Sequence, residues 1–188
     1  MEVLWRPAIE KRMDEFLNLL VAELDRHDGR IEDLERLVQR DLAISAGVAG
    51  VRAAARTSDE DKLRYLAAAV ARVTVDPVWD ARADFALLLL QIAADLTATH
   101  VRVLSRFASP EWPGTLKAVQ DHEITMDVAL RRGFPDDDFV SVQAMISDLA
   151  SRNLLVNRST FFGLSTLHPE KVSDLGLTFL DFIAHSDS

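Results

Sequence analysis

From residue 5 onward the apolar positions Trp5, Ile9, Met13, Phe16, Leu20 and Leu24 recur at steps of three and four, with Pro7 where a first helical turn tolerates it. The spacing predicts an amphipathic helix of about five turns, ending near His27, Asp28 and Gly29. Ile31, Leu34, Leu37, Val38 and Leu42 then mark a second helix with Glu32, Glu35, Arg36 and Arg40 outward, and the two are expected to form an antiparallel hairpin. The pattern continues as AISAGVAGVRAAA, almost all small residues. A glycine inside a helix costs roughly 1 kcal/mol relative to alanine. Gly47 and Gly50 therefore either break the helix or admit a close neighbour. That neighbour is another helix of the same chain or a partner, which makes both glycines candidate self-association residues.

Ser58 ahead of Asp59, Glu60 and Asp61 reads as the N-cap of a third helix, with Leu63, Leu66, Val70 and Val73 as its buried stripe. Pro77 interrupts the pattern, and a further helix is expected from about Val78 to Asp95 through FALLLLQIAA. Being apolar on most sides, it is expected at the centre of a bundle. Thr97 caps the next helix, which carries His100, Val101, Leu104 and Phe107 on one side and ends before Pro110. Between 111 and 138 the apolar positions fit one or two helices, closed by the acidic loop Asp136 to Asp138.

The last stretch has the sharpest pattern. Phe139, Val142, Ile146 and Leu149 fall on one helical face, with Ser141, Gln143, Ser147, Asp148, Ser151 and Arg152 opposite. Asn153 is suited to a left-handed helix end, and the β-prone Leu154 to Val156 follow. Beyond a turn-rich segment, EKVS can pair back as an antiparallel ribbon, and Ser173 is placed to cap a final helix with Leu175, Phe179, Phe182 and Ile183 on its buried stripe.

The run SRNLLV followed by a wing and by VSDLGLTFLDFI resembles the second half of a winged-helix domain, with Val172 to Gly176 at the strand-to-helix junction. Ser173 stands where that family commonly has Thr, and Asn153 where it commonly has Gly. The layout as a whole, with Thr57 to Lys62 as TSDEDK ahead of a terminal winged helix, is similar to helical proteins of bacteria and their phages. The resemblance implies a recognition helix over 139–152 and a wing carrying Arg158, Phe161 and Phe162.

Composition sharpens this picture. The 188 residues are 48% hydrophobic with 7 Gly and 6 Pro, which favours helix. The expected fold is mainly α, an N-terminal helical hairpin or bundle (1–95) packed on a C-terminal winged-helix-like domain (96–188) with a small β-wing. The absence of cysteine excludes disulfides, thiolate catalysis and cysteine zinc sites. No uninterrupted apolar signal core or membrane-length run is present, so a soluble, cytoplasmic protein is expected.

Charge then weighs against the obvious function. The chain carries a net charge of -9, and the 79 residues after Ser109 hold 6 basic against 12 acidic side chains. That is the wrong sign for non-specific attraction to DNA.

No catalytic motif is visible. The five histidines lack zinc-helix spacing, His122, Glu123 and Asp127 read as a solvated face, and GLSTL lacks the second glycine of a nucleophile elbow. No enzyme activity, metal or cofactor is expected. The leading expectation is a protein-contact or regulatory role, as a homo-oligomer or with another protein, through Phe161, Phe162, Gly47 and Gly50. The alternative is a DNA-binding regulator using Gln143, Arg152, Arg158, Lys117, Arg131 and Arg132.

Overall fold

The computed structural model describes residues 6–26, 40–112, 126–157 and 169–184. The protein is mainly helical. Contacts divide the chain into two compact units, Met1–Ala98 with Phe182–Ser188, and Thr99–Asp181. The expected first hairpin lies outside the described residues in its loop and most of its second arm, as do residues 113–125.

The first unit contains α1 (Arg6–Arg26), α2 (Asp41–Ala54), α3 (Glu60–Val75), a 3-10 helix (Pro77–Arg82) and α4 (Ala83–Asp95). α1 buries Phe16 fully, whereas Ile9, Leu17 and Val21 are exposed. α2 runs unbroken through both glycines. At Gly50 an added Cβ would lie 2.7 Å from Phe16 Cζ and 2.8 Å from Val70 Cγ2, so the missing side chain is what lets α1 and α3 close on α2.

The centre of this unit is α3, not the leucine-rich segment. Leu63, Leu66, Ala67, Ala68, Ala69, Val70, Ala71, Val73 and Thr74 are all buried, on every side of the helix, and α1, α2 and α4 all pack on it. Alanines permit this because their short side chains let several helices approach one axis closely. The predicted central helix 78–95 begins instead as the 3-10 turn, and in α4 Leu88 remains 49% exposed, beside an exposed Leu87.

Local chemistry sets the helix ends. The cap of α3 is Asp59 rather than Ser58: its Oδ1 accepts from Lys62 N at 3.2 Å, while Thr57 Oγ1 accepts from Asp59 N. Asp76 precedes a proline, which excludes it from the helical region and ends α3, and its carboxylate then accepts from Val78 N at 2.9 Å. Arg40 holds the start of α2 by donating to Thr74 O at 2.9 Å and pairing with Asp80. Lys62 Nζ donates to Ala94 O at 2.6 Å, satisfying a carbonyl at the end of α4.

In the second unit, α5 (Ala98–Ala108), α6 (Met126–Gly133) and α7 (Phe139–Ser151) precede β1 (Leu155–Asn157), β2 (Pro169–Val172) and α8 (Asp174–Ile183), the last two residues of α8 being assigned to the first unit. Phe107, Trp112 and Phe134 form one aromatic cluster, with centroids 4.3 to 6.4 Å apart. β1 and β2 pair antiparallel, Leu155 opposite Val172 and Val156 opposite Lys171, with an irregularity after Val156.

α7 ends as its sequence predicts. Asn153 takes φ 59°, and Leu154 N donates back to Leu149 O at 2.9 Å. Ser173 caps α8, accepting from Gly176 N at 2.9 Å while its hydroxyl donates to Asn153 O at 2.6 Å. An added Cβ on Gly176 would collide with the Leu154 carbonyl oxygen. The Ser-Asp-Leu-Gly junction thus joins the end of α7 to the start of α8 through one serine and one glycine. No single helix among the described residues is long and apolar enough to cross a membrane.

Candidate interaction surface

α7 separates its residues into two faces. Val142, Ile146 and Leu149 are buried. Val140 is 70% exposed, and Gln143, Ala144, Ser147 and Ser151 are exposed with it. Steps of three and four place these five on one outward stripe. It carries no charge.

Most charged residues near this stripe are engaged within the fold. Asp148 Oδ2 accepts from Arg152 Nε at 3.0 Å and lies 3.5 Å from His100 Nε2 of α5, so the helix end is tied down through one carboxylate. The Arg131 guanidinium sits 4.7 Å from the centre of the Phe139 ring, a cation-π contact. Arg132 is exposed next to it. At the other end of α7, Asp138 is the N-cap, accepting from Ser141 N at 2.9 Å and Ser141 Oγ at 2.8 Å. These two bonds favour the ionised form and hold the Asp138 carboxyl below the usual carboxylate range. Asp137 pairs with Arg102.

A recess of about 310 Å³ lies between the end of α6 and the start of α7, lined by Leu130, Arg131, Phe134 and Asp138 among others. The interactions of Asp137, Asp138 and Arg131 just described engage its charged groups, and its apolar floor belongs to the core. Among the described residues no three His, Asp or Glu side chains gather as a metal site.

No protein-family model, curated protein or solved structure matches the chain.

The residues proposed from sequence are thus distributed as follows. Gln143 is on the outward stripe of α7, Arg152 at its paired end, and Arg131 and Arg132 at the end of α6. Lys117, Arg158, Phe161 and Phe162 lie outside the described residues, as do His122, Glu123 and the side chain of Asp127. Gly50 is buried against Phe16 and Val70, which corrects its assignment to a partner surface: the chain's own side chains fill the space. Gly47 has nothing within 4 Å of an added Cβ among the described residues.

Val140, Ala144, Ile44 and Val48 were not singled out by the sequence pattern. The signal for Val140 and Ala144 was their position off the buried stripe of α7. In α2 the buried positions are mostly the small ones, Ala43, Ala46, Gly50 and Ala53, which leaves Ile44 and Val48 outward.

Proposed function

We propose that the chain is a non-enzymatic protein-contact module whose second unit is a winged-helix-like fold that docks protein rather than nucleic acid. The carrying observation is the uncharged outward stripe of α7: Val140, Gln143, Ala144, Ser147 and Ser151. Among the described residues the element order of three helices, an antiparallel strand pair and a closing helix supports the winged-helix reading, as does the Ser173 to Gly176 junction. In that reading α7 is the recognition helix. A helix entering the major groove relies on cations for phosphates and on donors for base edges. Here Gln143 is the one side chain on the stripe that can bond a base edge in bidentate fashion, no cation is on the stripe, and Arg152 is turned onto Asp148.

A second reading, DNA binding, is favoured by the adjacent Arg131 and Arg132 at the end of α6. Titration of mixed-sequence duplex at about 50 mM salt, where phosphate contacts are strongest, separates the two. No binding is the expected result. Steeply salt-dependent binding that is lost on reversing Arg131 and Arg132 to Glu overturns the protein-contact reading.

The positive arm uses a photocrosslinking residue at Gln143. The expected adduct is with protein and disappears in a Val140→Asp, Ala144→Asp variant. That variant should keep its stability within about 0.5 kcal/mol, because both sites face outward.

A further inference from the structure

Among the described residues α2 presents a second unpartnered face, independent of α7. Its inner side is spent on small residues, and its outer side carries Ile44 at 51% and Val48 at 45% exposure. Gly47 lies between them with nothing within 4 Å of an added Cβ among the described residues. With about 100° of rotation per residue, Ile44, Gly47, Val48 and the half-buried Val51 share one face. The two glycines of the helix therefore differ. Gly50 is accounted for by Phe16 and Val70, whereas Gly47 weakens the helix without admitting any described neighbour.

The flanking charges indicate what covers this face. Asp41 and Arg52 are exposed and eleven residues apart, close to three full turns, so they sit on the same flank of the apolar stripe. Neither is ion-paired among the described residues, in contrast to the neighbouring Arg40. A two-fold axis across the stripe, perpendicular to the helix, brings like flanks together with the ends reversed. Placed so that Val48 of one copy lies over Gly47 of the other, it also sets Ile44 opposite Val51. The same operation brings Asp41 level, to within about 3 Å along the axis, with Arg52 of the second copy, and it does so twice. A parallel pair would instead carry the two flanks to opposite sides of the seam, leaving Asp41 and Arg52 of each copy with no partner across it.

We propose that two copies of this chain pair antiparallel through α2, with Val48 of each seated over Gly47 of the other and two reciprocal Asp41–Arg52 ion pairs fixing the register. The glycine then has a role, since its missing side chain admits the partner's valine and lets the two helices approach closely. One helix face is a small interface, so the dimer is weak, with a dissociation constant on the order of 10–100 µM.

The test is sedimentation of the full chain up to about 500 µM, well above that constant. A rise from 21.0 kDa toward twice that mass is expected. Val48→Asp should remove it. Asp41→Arg alone and Arg52→Asp alone should each weaken self-association about tenfold, since both ion pairs become repulsive. A mixture of those two variants restores both pairs and should dimerise about as tightly as the unaltered chain.

Circular dichroism confirms that each variant folds. If a single variant fails to fold, Asp41→Asn and Arg52→Gln replace the reversals, and the loss on neutralising either residue, which removes both pairs, is then the reading. A monomer at all concentrations overturns the proposal, as does a dimer that Val48→Asp leaves intact. A mixture no tighter than its separate components overturns the antiparallel register. Substitutions on the α7 stripe should leave this dimer unchanged, so its failure and the failure of the α7 reading are told apart.

Discussion

Single residues decide more here than their size suggests. Gly176 faces a backbone carbonyl that cannot step aside, so Gly176→Ala should destabilise the protein by roughly 2–3 kcal/mol in denaturant unfolding. Gly50 faces the side chains of Phe16 and Val70 rather than a backbone carbonyl, so Gly50→Ala should cost less than Gly176→Ala in the same measurement. Asp138 acts through charge. Its carboxyl titrates below the usual range because Ser141 donates to it twice. Its contribution to stability is therefore complete above the ordinary carboxylate pKa and is lost as the pH falls through the depressed value. Asp138→Ala should lower the melting temperature at neutral pH, and the difference from the unaltered chain should vanish in acid. Ser173 and Asn153 were legible in the sequence because a cap and a left-handed residue act within a few positions of themselves.

At the scale of elements, the sequence located most helices and misjudged which one is central. Periodicity marked α3 from Leu63, Leu66, Val70 and Val73, and those residues are buried. It gave no weight to Ala67, Ala68, Ala69 and Ala71, which are buried as completely. Hydropathy ranks leucine over alanine and so favoured α4. Close approach of several helices favours alanine, and packing therefore put α3 in the middle.

Two substitutions check this. Ala69→Leu should cost roughly 1–3 kcal/mol, since the site is fully buried with helices around it. Leu88→Gln should change stability by no more than about 0.5 kcal/mol, whereas Leu89→Ala, at a fully buried neighbour, should cost about 2–5 kcal/mol. Equal losses at Leu88 and Leu89 would return α4 to the centre.

For the whole molecule, the acidic balance and the absence of cysteine bound the chemistry. A net charge of -9 opposes non-specific DNA affinity, and the outward stripe of α7 adds no local cation to offset it. If α2 pairs as proposed, stability is linked to concentration, because a partner that binds only the folded chain stabilises it by mass action. The melting temperature should then rise with protein concentration, and Val48→Asp should flatten that dependence.

What depends on neighbours in the chain was legible locally: the mainly helical class, the bounds of α7, the Asn153 turn, the Ser173 cap and the antiparallel partner for β1. Capping, φ preference and periodic burial are set within a few residues. Tertiary packing alone puts α3 at the centre, turns Gly50 inward and Gly47 outward, and pairs Arg40 with Asp80. Those outcomes come from helices competing for the same buried space and from charges finding partners on other turns and elements, which no local window of sequence contains.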